Sequence, residues 1–389
     1  MKGPWERTIF PEYLYDPGLF FDEDGKVYVV HGQGTLYLTE LNSDVKSVKG
    51  KPVKIWQGGF KNAHELGGGF GMEGSHMYRI NGKYYITCPA GGTGGWQICL
   101  RSDNIYGPYE HKLIMNDWSS YPENGLHQGG MVQLKNGDWW FMIMQDRGPI
   151  GRVPCLVPVK WIDGWPMLGD EGKDLITYPK PATGKKSKIK SPATTDEFNA
   201  SQLGLQWQWN HNPDNSLWSV SERKGYLRLK TGRIDTDFLS ARNTLTQRTI
   251  GPVCSGTTSM DVSDMREGDF AGLALLQKKY GWIGVKYENG VKKIVMVSAQ
   301  TDKPEEVESL PLNQNTVFLK AECDFTDKKD IADFYYSLDG KKWTKIGSQL
   351  KMAYTLPHFM GYRFGLFNYA TKTPGGYVDF DYFRISDSK

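Results

Sequence analysis

The chain has 389 residues with 47 Lys+Arg against 44 Asp+Glu, a net charge of +3, and 13% aromatic residues including 13 Trp. That length holds two domains with cores of their own, and the near-neutral balance excludes a dominant basic face, so nucleic acid and an anionic membrane are poor partners. Five cysteines (Cys88, Cys99, Cys155, Cys254, Cys323) show no metal-ligand spacing and read as buried thiols, and no run of about 18 apolar residues offers a membrane span.

In chain order, Gly3-Pro4-Trp5-Glu6 comes first and returns as Gly107-Pro108-Tyr109-Glu110. Three hairpins follow one another: Asp24-Gly25-Lys26-Val27-Tyr28, Asn81-Gly82-Lys83-Tyr84-Tyr85 and Asn136-Gly137-Asp138-Trp139-Trp140, spaced by 57 and 55 residues. Asp-Gly or Asn-Gly between alternating β-formers is the strongest local hairpin signal. Recurrence at a fixed period, with about four short strands per period, predicts propeller blades. Propellers close with roughly 4–8 blades, whereas residues 1–177 supply about three. The expectation is a propeller entered part-way round the ring and completed by an upstream segment or by a second chain. A secretion signal would belong to such an upstream segment, so secretion or a periplasmic location stays open and no compartment is assigned.

Before each hairpin a polar residue stands in the same phase: Asp16-Pro17-Gly18, then Gly71-Met72-Glu73-Gly74-Ser75-His76, then His127-Gln128-Gly129-Gly130. Equivalent positions in neighbouring blades converge on the axis. Two carboxylates facing one cavity perturb each other's pKa and can divide into acid and ionised roles. Taken singly, Glu73 is a surface-loop carboxylate, Asp16 a turn former and His127 a structural histidine; only the shared phase sets them apart. Arg152, in Gly151-Arg152-Val153-Pro154, can clamp a substrate or a carboxylate with its planar fork, or make an ion pair on the outer face.

Residues 178–195 are a linker by composition, with the solvated run Lys185-Lys186-Ser187-Lys188-Ile189-Lys190. Residues 196–389 carry short strands such as Gly225-Tyr226-Leu227-Arg228-Leu229, Ile283-Gly284-Val285-Lys286-Tyr287 and Phe334-Tyr335-Tyr336-Ser337. They predict an antiparallel jelly-roll β-sandwich. The whole chain is therefore expected to be all-β.

The phrases around Asp16, Glu73, Gly107–Glu110, His127 and Arg152, with Trp161-Ile162-Asp163-Gly164-Trp165-Pro166 and Leu205–Pro213, together resemble family 43 of the glycoside hydrolases, the β-xylosidase and α-L-arabinofuranosidase group. The resemblance implies a five-bladed propeller with a lectin-like sandwich behind it, acting on xylo- or arabino-oligosaccharides with inversion. It makes Glu73 the general acid and Asp16 the carboxylate that positions the acid and tunes its pKa. Arg152 would reach the sugar in the innermost subsite. His127 would lie near the axis beside substrate, where a structural Ca2+ is often found; no cofactor enters the catalysis. The family's general base is an Asp of the first blade, and it has no counterpart here. About two blades, on the order of 100 residues, are then expected outside this chain. Lacking a base, the chain alone is expected to lose roughly 10²–10⁴ in rate. The alternative is a non-catalytic carbohydrate-binding protein.

Overall fold

The structure, a computed structural model, describes residues 6–58, 71–117, 124–173, 177–184, 194–301, 303–355 and 360–387. The chain divides into two compact units: Met1–Arg147 with Arg152–Lys186, and Ser187–Lys389 with Gly148–Gly151. Among the described residues there is no α-helix, only strands and short 3-10 turns.

The first unit is three four-stranded antiparallel meanders. The first comprises β1 (Gly18–Phe21), β2 (Val27–Gln33), β3 (Thr35–Leu41) and β4 (Val53–Gln57). The second has β5 (His76–Ile80), β6 (Lys83–Ala90), β7 (Trp96–Ser102) and β8 (Glu110–Met115). The third has β9 (Leu126–Gln133), β10 (Trp139–Asp146), β11 (Arg152–Ile162) and β12 (Trp165–Leu168). These are the expected blades, and the repeated Asp-Gly or Asn-Gly pairs are their first turns. The turns differ in type. Asn81 and Gly82 are both left-handed (φ 51° and 80°), as a two-residue turn of the favoured hand requires, whereas at the other two sites only Gly25 and Gly137 are (φ 82° and 92°). The second Gly-Pro-aromatic-Glu phrase ends where Glu110 opens β8, the last strand of its blade. Its first copy lies, through Trp5, outside the described residues, as does the lysine run.

Burial explains the strand composition. Phe20, Tyr28, Val30, Leu36 and Leu38 of the first blade pack with Met77, Tyr84, Ile86, Ile98 and Leu100 of the second. The opposite side of the second blade gives Tyr85 and Cys99 to a layer with Leu126, Met131, Phe141, Ile143 and Val157 of the third. Strand β6 is apolar on both sides because it has a blade on each; β1, with one neighbour, alternates buried and exposed.

The second unit is a sandwich of two seven-stranded antiparallel sheets. One runs, in spatial order, Gln208–Trp209, Leu245–Arg248, Arg363–Ala370, Asp269–Leu276, Gly281–Glu288, Val291–Ser298 and Glu305–Pro311. The other runs Trp218–Ser219, Leu227–Lys230, Tyr377–Ser386, Val253–Asp261, Thr316–Asp324, Ile331–Ser337 and Thr344–Lys351. Between them lies one apolar cluster containing Leu227, Leu273, Ile283, Leu319, Phe334, Phe364, Phe380 and Phe383. The expected strands near 225, 283 and 334 are all present.

Candidate active site

The first strand of each blade begins at the same end, and the in-phase residues sit there. Asp16 is two residues before β1, Glu73 three before β5, and His127 is the second residue of β9. Neighbouring blades approach closely at this end. A Cβ on Gly18 would lie 2.0 Å from the Ser75 carbonyl oxygen, so only glycine lets β1 pass the turn that carries Glu73. A Cβ on Gly74 would lie 3.4 Å from Asp16 Oδ2 and 2.7 Å from Gln128 Nε2. The Asp16 carboxylate and the Gln128 amide therefore meet at the backbone next to Glu73. All three blades contribute to one cluster.

The turn presenting Glu73 is fixed from below. Met72 is fully buried with φ 71°, its N–H donates to Pro89 O at 2.8 Å, and Ser75 Oγ donates to Met72 O at 2.7 Å. Asp16 and Gln128 are also left-handed (φ 49° and 57°). Non-glycine residues held in such conformations cluster at functional sites, where the surroundings over-determine them.

Glu73 is half-buried, and its Oε2 is buried with no hydrogen-bond partner. Burial pushes its pKa above the usual carboxylate range; a hydrogen bond to its own backbone pulls down, the Asp16 charge pushes up, and Arg152 pulls down. A neutral carboxyl tolerates an unbonded oxygen far better than a carboxylate does, so the environment favours a held proton.

His127 is 4% exposed. Burial lowers its pKa, opposed by its hydrogen bond to Gly125 O and the Asp146 charge and reinforced by Arg152. The neutral ring donates Nδ1–H to Gly125 O at 3.0 Å, which turns Nε2 toward Asp146 Oδ2 at 3.8 Å. Asp146 also stands 3.5 Å from Arg152 Nε through its other oxygen. It ends β10 directly opposite Arg152, the first residue of β11. One buried carboxylate thus faces both the histidine and the arginine. The sequence reading missed Asp146, although its place across a tight Gly148–Gly151 turn from Arg152 was a usable signal. It also passed over Gln97, whose Oε1 accepts from Gln128 N at 2.7 Å. Its Nε2 and the neighbouring Trp96 Nε1 are buried without partners.

Calcium takes 6–8 oxygen ligands. His127 offers a nitrogen and Asp146 one carboxylate, and among the described residues no group of three or more His, Cys, Asp or Glu could hold a metal. These residues by themselves do not fit a calcium cage built from protein.

Stacked blades that gather a carboxyl whose pKa burial raises, a second carboxylate, a buried histidine and an arginine at one end, with a sandwich attached, define a class: propeller glycosidases with an accessory β-domain. Comparisons make this particular. The profile of glycosyl hydrolases family 43 matches residues 1–166, and that of the beta xylosidase C-terminal concanavalin A-like domain matches residues 195–386. A beta-xylosidase of Formosa agariphila is 31% identical over 98% of this chain and 72% of its own length. A non-reducing end alpha-L-arabinofuranosidase of Bacteroides ovatus is 33% identical over 59% of this chain and 44% of its own. Among solved structures, a Bacteroides eggerthii protein described as a bifunctional GH43-CE superposes with a TM-score of 0.91 at 50% identity, covering all of this chain and 50% of that one. The GH43 protein BlXynB of Bacillus licheniformis gives 0.83 at 29% identity over 96% and 75%. The chain belongs to glycosyl hydrolase family 43, and it spans between half and about three quarters of the length of most of these relatives.

Proposed function

We propose that this protein is an inverting exo-glycosidase removing terminal xylose or arabinofuranose from plant-cell-wall oligosaccharides. Glu73 delivers the proton to the departing glycosidic oxygen from Oε2. Asp16, beside it, helps keep the Glu73 proton in place by raising its pKa. Arg152 binds sugar hydroxyls through its guanidinium, and His127, oriented by Gly125 O and Asp146, lines the innermost subsite. The observation that carries this reading is the buried, partnerless Glu73 Oε2 with its pKa raised by burial and by Asp16.

The water-activating base is assigned to a further blade, so this chain by itself is expected to turn over slowly, by roughly 10²–10⁴. The outward faces of the first and third blades support a larger ring. Leu19 and Phe21 are 51% and 62% exposed on one; Val132, Met142 and Leu156 are 50%, 51% and 36% exposed on the other. Apolar sheet faces of this kind are normally covered.

The test is hydrolysis of nitrophenyl β-xyloside and α-L-arabinofuranoside by this chain extended with its upstream coding sequence, followed by NMR of the anomer released. Cleavage of at least one glycoside with inversion is expected. Cleavage of neither removes the sugar class, and sugar binding without product points instead to a carbohydrate-binding protein.

A further inference from the structure

We infer that the sandwich carries a second, non-catalytic sugar site. It takes one neutral sugar ring in the hollow lined by Asp214, Leu217, Thr231, Arg242, Asn243 and Asn368. The hollow encloses about 230 Å³, below the 300–1,000 Å³ of clefts for larger ligands, and so suits a single ring.

Its floor has an unmet need. Asn368 is 5% exposed. Its Nδ2 donates to Leu229 O at 2.9 Å, which fixes the amide orientation, and its Oδ1 has no partner. A buried acceptor left unsatisfied costs about 1–3 kcal/mol, so a ligand hydroxyl reaching the floor gains a ready acceptor. On the wall, Arg242 Nη1 and Asp214 Oδ2 face each other at 3.9 Å. That is too long for a hydrogen bond. A hydroxyl placed between them donates to the carboxylate and accepts from the guanidinium, which only a group with both capacities can do.

The wall is arranged in advance. Asn243 clamps the Asp214 loop twice, accepting from Asp214 N at 2.9 Å and donating to Asp214 O at 2.9 Å. Asp214 Oδ1 accepts from Ser216 N and Oγ at 3.1 and 2.7 Å, and Arg242 Nε donates to Asn212 O at 2.8 Å. The other cations on the rim already have counter-ions: Lys230 pairs with Glu222 at 2.7 Å and Arg233 with Asp235 at 2.9 Å. With charges balanced, nothing rewards an anion over a polyol. Alternating fixed donors and acceptors beside the apolar Leu217 match a ring with hydroxyls on its edge and C–H groups on its face.

Only the choice of pentose as probe rests on the glycosidase reading. The test uses the full chain carrying Glu73→Gln and Arg152→Ala, which disables binding at the blades. Xylose and L-arabinose are titrated by saturation-transfer NMR and calorimetry. Saturable binding of at least one pentose is expected to persist. Adding Arg242→Ala or Asp214→Asn is expected to weaken it at least tenfold with an unchanged melting temperature. In the otherwise unaltered protein, Arg242→Ala is expected to leave glycoside hydrolysis as it was. Loss of all binding in the Glu73/Arg152 background overturns this inference while leaving the catalytic reading intact. Binding indifferent to both sandwich substitutions also overturns it, as does tighter binding of glucuronate than of either neutral sugar. Persistent binding in this background, together with no hydrolysis by the upstream-extended protein that keeps Glu73 and Arg152, would sink the catalytic reading and uphold this one.

Discussion

At the axis end of the blades, Glu73 Oε2, Gln97 Nε2 and Trp96 Nε1 are buried without partners, and Asp16, Met72 and Gln128 are held left-handed. The sandwich treats its buried charge differently. Asp379 accepts from Arg228 Nε and Nη2 at 2.7 and 2.8 Å and from Arg223 Nη1 at 3.0 Å. Its core is lined by aromatics in edge contact, such as Phe383 with Trp207 and Phe364 at 5.4 and 5.6 Å. Unsatisfied polar atoms and backbone strain are what a site for a polar ligand needs; saturated ion pairs and interlocked rings are what a scaffold needs. Asn368 Oδ1 in the hollow, like Arg363 Nε, departs from that pattern.

Substitutions in each unit test this contrast. Glu73→Gln, in the ring-complete protein, should lower kcat on poorly activated xylosides by roughly 10²–10⁴ while leaving the melting temperature in place. Steady-state kinetics decide it, and unchanged rates remove Glu73 from the acid role. Because its pKa is raised, wild-type activity should fall as the pH rises through that value and the proton is lost. Phe383→Ala should do the opposite, destabilising the sandwich by about 3–5 kcal/mol in urea melts with kcat intact below the transition.

Asp269 gives a pH test of the scaffold. It is fully buried, and burial, only partly offset by bonds from Arg266 N and the Thr231 hydroxyl and by the Arg266 charge, lifts its pKa to about 6. The folded state therefore holds a proton that the unfolded state has released. Stability is greatest below the ordinary carboxyl pKa and should decline on the order of 2 kcal/mol as the pH climbs to about 6. Asp269→Asn should flatten that slope in melts taken across pH 4–7. Asp146→Asn should reduce kcat/KM by about 10- to 100-fold through misaimed His127 and Arg152, and the loss should appear in kcat/KM without a matching loss of fold. The smallest effect belongs to Asp24→Ala. It removes an exposed pair with Lys26 at 2.7 Å and should shift stability by less than about 1 kcal/mol.

Much of the first unit was legible because its turns are written in residues with special backbone freedom, and their spacing counts blades directly. The shared phase drew Asp16, Glu73 and His127 together, whereas Arg152 lay outside that phase and was added by the resemblance. Asp146 was missed: its role comes from facing Arg152 across the β10–β11 register, and the only local hint was its place across the short Gly148–Gly151 turn. The sandwich strands could be named but not ordered: Leu227–Lys230 pairs with Tyr377–Ser386, about 150 residues on, and no local pattern encodes such a partner. The Asn368 hollow was hidden for the same reason, being assembled from four separated segments.

The blade tips have a practical use. The tips Gly25, Gly82 and Gly137 face open space, but their positive φ disfavours a side chain there. An attachment therefore belongs on the exposed neighbours Asp24, Asn81 and Asn136. Each tip lies beyond the far end of the strand whose start borders Asp16, Glu73 or His127. Strand β5 alone, at five residues, separates the two ends by about 17 Å. A fluorophore, an affinity tag or a surface linkage attached at those tips would stand at the opposite end of the blades from Asp16, Glu73 and His127, so the protein can be immobilised or tracked without touching that cluster.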